Sequence, residues 1–199
     1  MSKIVLASGN AGKLREFSKL FSKFNCELIP QKELQISDVD ETGLSFVENA
    51  IIKARHAAQV SGLPALADDS GIEVDALNGA PGIYSARFSG LQASDADNNH
   101  KLLEELQGLK EKQRTARYQC VLVFMRHAKD PVPIIAQGSW EGIILEETRG
   151  EGGFGYDPLF WVPSHNCASA ELDKEVKNKI SHRAIASLAL EAELKKAGY

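Results

Sequence analysis

The stretch from residue 3 to residue 30 constrains the fold more than any other part of this chain. Residues 3–8 (KIVLAS) are short, apolar and rich in β-branched types, which predicts a buried strand. Gly9-Asn10-Ala11-Gly12 predicts a turn. Leu14, Phe17, Leu20, Phe21 and Phe24 then recur at helical spacing, so a helix is expected from about Gly12 to Lys23. Glu27 to Pro30 reads as a second strand. A strand–helix–strand unit of this kind is almost always parallel and right-handed. It places the chain in the α/β class, with helices flanking a mixed sheet.

The remaining pattern extends that plan. Ser45 with Glu48 three residues on gives a capping-box signature for a helix to about Val60. Its core face is expected to hold Phe46, Ala50, Ala54 and Ala57, with Asn49, Lys53 and His56 on the opposite side. Pro64 to Ala67 reads as a short strand that ends at Asp68-Asp69-Ser70-Gly71. A third helix runs from Asp95 to Leu106, stopped by Gly108. Strands are expected over residues 118–126, 134–145 and 159–162, and a last helix from a Ser181 cap to about Lys195.

Composition narrows the function classes. The chain has 199 residues, 43% hydrophobic and 25% charged, as a globular domain with a substantial core requires. A net charge of −4 argues against general nucleic-acid binding, which needs clustered basic charge. Cys26, Cys120 and Cys167 are odd in number and lack metal-site spacing, so free thiols in a reducing cytoplasm are expected. No apolar run approaches the ~20 residues of a membrane helix, and Ile4 to Ala7 is too short for a signal-peptide core.

Five segments carry candidate chemistry, and each has an ordinary reading beside it. Ser8-Gly9-Asn10-Ala11-Gly12-Lys13 sits where backbone N–H groups at a helix start bind phosphate, or is a simple turn. It is not a Walker loop, which would need Gly at position 7 and Ser or Thr at 14, where the chain has Ala7 and Leu14. Asp68 and Asp69 at a strand end suit a hard cation such as Mg²⁺, or a solvated turn. Glu41, Glu48, Asn49 and Lys53 could flank a metal–phosphate site, or form an ordinary polar helix face. Residues 150–158 (GEGGFGYDP) match GxGxxG, but a strand rather than a helix follows, which rejects a dinucleotide site. What remains is a loop whose Phe154 can stack on a base, or a hairpin with a core phenylalanine. Finally, His182 and Arg183 are cations in a first helical turn, where the helix dipole disfavours them unless an anion is present. With Lys177 they form a ligand-facing group or an exposed basic patch.

Taken together, the segments LASGNAGKLRE (6–16), ETGLSFVENAIIKARHAA (41–58), ALADDSGIEVDALNGAPGIYSAR (65–87), GGFGYDPLF (152–160) and SHRAIA (181–186) resemble one family. It is that of the inosine triphosphate pyrophosphatases, or XTP/dITP diphosphatases, and the bacterial branch is the most similar. The resemblance implies a single domain over residues 1–199, with a central curved mixed sheet and two lobes around an active-site cleft. It also implies a homodimer, which joins the cytoplasmic setting expected from the cysteines and the absence of membrane and nucleic-acid partners expected from the apolar runs and the net charge. The implied reaction takes deaminated purine triphosphates (ITP, dITP, XTP) to the monophosphate and pyrophosphate with Mg²⁺.

Carried over by residue, Ser8, Gly9, Asn10, Ala11, Gly12 and Lys13 would grip the triphosphate with Lys53. Asp69 would be the catalytic base, and Glu41 with Asp69 the Mg²⁺ ligands, Asp68 able to share that role. Ser70 would touch the substrate. Phe154, Gly155, Tyr156 and Asp157 would frame base and sugar, and Lys177, His182 and Arg183 would complete the pocket. Two rivals remain at this point: a pyrophosphatase for modified pyrimidine nucleotides, separated by a substrate panel, and a non-catalytic nucleotide sensor, separated by turnover.

Overall fold

A computed structural model describes residues 2–9 and 11–199. Asn10, expected in the phosphate grip, lies outside the described residues. Among the described residues seven strands form one mixed sheet, in the order β2 (Cys26–Pro30), β1 (Ser2–Leu6), β3 (Ala65–Val74), β4 (Thr115–Met125), β5 (Ile134–Ile144), β6 (Phe160–Val162) and β7 (Cys167–Ala168). The backbone divides into two compact units: Met1–Asp69, Cys120–Gly138 and Ile185–Tyr199; and Ser70–Gln119 with Ser139–Ala184.

The first unit begins with the expected motif: β1 (Ser2–Leu6), α1 (Ala11–Ser22) and β2 (Cys26–Pro30), with β1 and β2 parallel from Ser2↔Cys26 to Leu6↔Pro30. The pleat alternates side chains between faces. Ile4 and Leu6 join Phe17 and Phe21 of α1 and Leu190 and Leu194 of α5 (His182–Lys196) in one apolar layer. Val5 and Ala7 join Ala50, Ala54 and Ala57 of α2 (Phe46–Ser61) in another. Alanines along α2 let that helix lie close to the sheet.

The second unit contains α3 (Asp95–Glu105), β6 (Phe160–Val162), β7 (Cys167–Ala168) and α4 (Lys174–Ile180). Strands β3 (Ala65–Val74), β4 (Thr115–Met125) and β5 (Ile134–Ile144) contribute residues to both units. The core of the second unit is aromatic: Tyr118, Trp140 and Phe160 pack with Ile72, Leu102 and Leu106. β6 pairs antiparallel with β5 through Ile143↔Trp161 and with β7 through Trp161↔Ala168.

Two expectations are corrected and one unforeseen element is added. β3 does not stop at Ala67; it continues to Val74, so Asp68 and Asp69 lie inside a strand. Aspartate is depleted in strands, but here each acid has a lysine partner that offsets its burial. Asn49 is fully buried rather than on a polar outer face, because its Oδ1 accepts a hydrogen bond from Gly43 N at 2.8 Å. Residues 174–180 form a short helix that local spacing did not announce, so Lys177 is helical.

Candidate functional site

Adjacent residues of a strand face opposite ways, and this separates the two acids. Asp68 shares a face with Leu66, whose layer includes α1; Asp69 shares a face with Ala65 and Ala67, whose layer includes α2. Each helix supplies a lysine to its own side. Lys13 Nζ of α1 lies 2.8 Å from Asp68 Oδ1, and Lys53 Nζ of α2 lies 2.7 Å from Asp69 Oδ1. Lys53 Nζ is also 2.8 Å from Glu41 Oε1. Asp68 and Asp69 are only 2% and 8% exposed.

Helix α2 is built to hold Lys53 there. Ser45 Oγ caps it by accepting from Glu48 N, and the Glu48 carboxylate accepts from Leu44 N at 2.9 Å and Ser45 Oγ at 2.7 Å. These bonds hold the Glu48 carboxyl below its ordinary range, Ser45 contributing most. Glu48 is thus engaged in capping, which sets it apart from Glu41. The Asn49–Gly43 bond fastens the segment that follows Glu41.

The electrostatics of this cluster follow from a count. Glu41, Asp68 and Asp69 bring three negative charges and Lys13 and Lys53 two positive ones, a surplus of one negative charge. Burial pushes the Asp69 carboxyl up; Lys53 pulls it back, while Glu41 and Asp68 add to the rise. Burial works against the Lys53 charge, but Asp69 and then Asp68 outweigh it, and its pKa lies above the ordinary value. Both directions agree with an excess of carboxylate.

The cluster fits a divalent cation that completes its shell elsewhere. Two carboxylates already converge on one positive centre, the Lys53 ammonium, which stands in for a cation. Among the described residues no three His, Cys, Asp or Glu side chains form a closed metal cage. Mg²⁺ needs none, since it commonly takes one or two carboxylates plus water and phosphate oxygens. A cavity of about 80 Å³ adjoins Glu41 and Lys53, lined also by Ala7, Asp38 and His56. At ~30 Å³ per water it has room for a few.

Beside this cluster, Ser8 N donates to Leu6 O at 2.8 Å at the end of β1, and α1 starts at Ala11 with no acid in its first turn. Gly9 is exposed, and a Cβ there would lie 3.2 Å from Lys32 Nζ. Lys32 was missed by sequence reading; it stands on the one-turn helix after β2, whose pairing with β1 brings the two loops together.

The second unit gathers another set of expected residues around Asp157, which is 3% exposed. Its Oδ2 accepts from Phe154 N at 2.8 Å and Lys177 Nζ at 2.5 Å; its Oδ1 accepts from Ser169 Oγ at 2.8 Å and Tyr118 OH at 3.4 Å. The side chain of Asp157 is therefore an internal anchor for the loop that carries Phe154. Gly153 allows this approach: its φ is +80°, and a Cβ there would lie 2.8 Å from Asp157 Cγ. Tyr156 is likewise interior, its hydroxyl donating to Ser85 O at 2.8 Å.

Phe154 is the opposite case. It is 58% exposed, which removes the core-phenylalanine reading of its loop. Lys177 Nζ lies 5.5 Å and Arg183 Cζ 5.9 Å from its ring centroid, within cation–π range. His182 stacks on Tyr118 at 4.7 Å between centroids and 12° between planes. His182 and Arg183 are both buried, so the exposed-patch reading fails for them. Ser181 ends α4 and its Oγ accepts from Ala184 N at 3.4 Å, which sets the pair at the start of α5. Ser70 is half-buried on β3, next to Asp69.

A wider groove of about 700 Å³ runs along the end of β5, lined by Arg114, Arg149 and Trp161 but also by Glu111, Glu146 and Glu147. It holds none of the expected residues, and its acids disfavour a polyanion.

The chain is similar to known proteins along nearly its whole length. The model of the Ham1 family matches residues 4–193. The chain is 60% identical over 194 residues to a dITP/XTP pyrophosphatase of Vibrio parahaemolyticus, covering 98% of this chain and 97% of the relative. A solved HAM1 protein from Coxiella burnetii is 50% identical with a TM-score of 0.94, covering 98% of this chain and all of that one. The Ham1 protein of Staphylococcus aureus is 41% identical with a TM-score of 0.91, covering 98% and 100%.

Proposed function

The chain belongs to the Ham1 family, and on that premise we propose that it hydrolyses non-canonical purine nucleoside triphosphates (dITP, XTP and ITP) to the monophosphate and pyrophosphate. The observation that carries the reading is Asp69: a strand-borne carboxylate, buried, with a raised pKa, beside a lysine that also holds a second carboxylate. A base serves best when its pKa approaches the working pH. Burial moves Asp69 in that direction.

In the proposed reaction, a water oxygen attacks the α-phosphorus and the bond from that phosphorus to the bridging oxygen breaks. Asp69 orients the water and accepts its proton, and pyrophosphate leaves with the bridging oxygen. Glu41 and Asp69 would hold Mg²⁺, which neutralises phosphate charge and lowers the pKa of water. The Ser8–Lys13 segment binds the phosphate tail through backbone N–H groups and the Lys13 ammonium. Lys53 keeps the two carboxylates oriented. Positioning and electrostatics supply most of the acceleration, as in phosphoryl chemistry generally.

Selectivity rests on the second set of residues. A 6-oxo purine presents an acceptor at O6 and a donor at N1, and adenine presents the reverse. Arg183 and His182 donate to O6, so adenine would leave buried donors unpaired, a penalty that gives strong discrimination. Phe154 offers an exposed face for stacking. Ser70 contacts the substrate next to the attacking group. No helix among the described residues is long and apolar enough to cross a membrane. The three free cysteines support a cytoplasmic enzyme, and resemblance supports a homodimer.

The test is product analysis. With ITP and Mg²⁺, inosine monophosphate and pyrophosphate should appear in equal amounts. Orthophosphate as the first product, or no turnover, would refute the assignment.

A further inference from the structure

Helix α3 starts behind a reciprocal cap: Ser94 Oγ accepts from Asp97 N, and the Asp97 carboxylate accepts from Ser94 N. From this fixed turn, two side chains reach one residue of the glycine loop. Asp95 Oδ2 accepts from Gly155 N at 2.6 Å, and Asn99 Nδ2 donates to Gly155 O at 2.8 Å. The preceding peptide is held too, since Phe154 N donates to Asp157 Oδ2. Gly155 has a φ of +61°, a conformation that suits glycine.

The result is a fully tethered backbone that carries a large apolar ring facing outward. Core packing gives no reason to fix an exposed phenylalanine. Binding does, because a ring already in place loses no further freedom when a flat ligand stacks on it. We propose that Asp95 and Asn99 are positioning residues for base recognition, clamping Gly155 so that Phe154 is presented in one orientation. The proposal rests on the reading that the substrate is a purine nucleotide stacked on Phe154. Neither residue touches the substrate.

The experiment is a double-mutant cycle with ITP as substrate. D95A should raise KM about tenfold, or ~1.4 kcal/mol, with kcat within about twofold of wild type. D95N should recover most of the loss, since its amide oxygen still accepts from Gly155 N. N99A should behave like D95A. In an F154A background, D95A should change KM by less than about twofold, because the ring it positions is gone. An unchanged KM in D95A and N99A would overturn the proposal. So would an equal KM increase with and without Phe154, which is what a purely structural clamp would give. A wild type inactive on ITP would sink the proposed function and this inference together; an active wild type with an additive cycle sinks this inference alone.

Discussion

Asp69 and Asp157 are both buried aspartates beside a lysine, yet they are held in opposite ways. Asp157 takes four hydrogen bonds, two on each oxygen. Asp69 accepts a side-chain bond from Lys53 at 2.7 Å and sits near two other carboxylates. A carboxylate whose lone pairs are filled is an anchor; it has nothing left to offer a ligand. A carboxylate with open capacity and crowded negative charge is held in a costly state, suited to take a proton or a cation. The two sites also differ in surroundings: lysines and acids around Asp69, aromatic rings around Asp157.

Substitutions can break this contrast. D69N should lower kcat by roughly 10²–10⁴-fold, the usual span for losing a general base. Its ITP affinity should stay close to wild type, and its thermal stability at neutral pH should be equal or higher. Near-normal turnover would remove the assigned role. D157A should do the reverse: it leaves Lys177, Ser169 and Phe154 N without their acceptor and should cost about 3 kcal/mol. Thermal unfolding should show a midpoint roughly 10 °C lower, and an unchanged midpoint would show that Asp157 is no anchor.

Smaller effects sharpen it. R183A should reduce the preference for ITP over ATP by about tenfold or more, for a lost charged hydrogen bond worth ~1.5–3 kcal/mol; an unchanged ratio refutes the donor assignment. The pH profile should shift modestly. Because folding raises the Asp69 pKa, the folded chain binds that proton more tightly than the unfolded one. Asp69 therefore destabilises the fold while ionised, and that penalty fades as pH falls toward the ordinary value of 3.8. The acid limb of kcat/KM should accordingly lie above 3.8. K53M removes the cation that pulls this pKa down, so its limb should move further up; a limb that stays put breaks the coupling.

Much of this was legible in the chain. The periodic phenylalanines of α1, the Ser45–Glu48 cap and the strand–helix–strand opening each depend on neighbours close in sequence, and each formed within a residue or two of where it was expected. The course of β3 was not legible, because the neutralising partners of its acids come from Lys13 and Lys53, on separate helices. The role of Asp157 was equally hidden: Tyr118 lies 39 residues before it and Lys177 lies 20 after. The opposite orientation of Asp68 and Asp69 needed only the two-residue alternation of a strand, and was lost once that strand was ended at Ala67. Asn49 looked like a surface residue because its partner is a backbone N–H, which leaves no mark in a sequence pattern.

The pairing of Lys13 and Lys53 with acids has a consequence for traffic through the enzyme. Lysines at a phosphate site would ordinarily attract every passing anion, and orthophosphate is plentiful in cells. Here their attraction is already spent internally, and the cluster keeps a surplus of one negative charge. On the proposed reading a bare anion would be repelled there, whereas a nucleotide escorted by its own divalent counter-ion would reverse that sign. The same surplus would then keep orthophosphate out of the resting site.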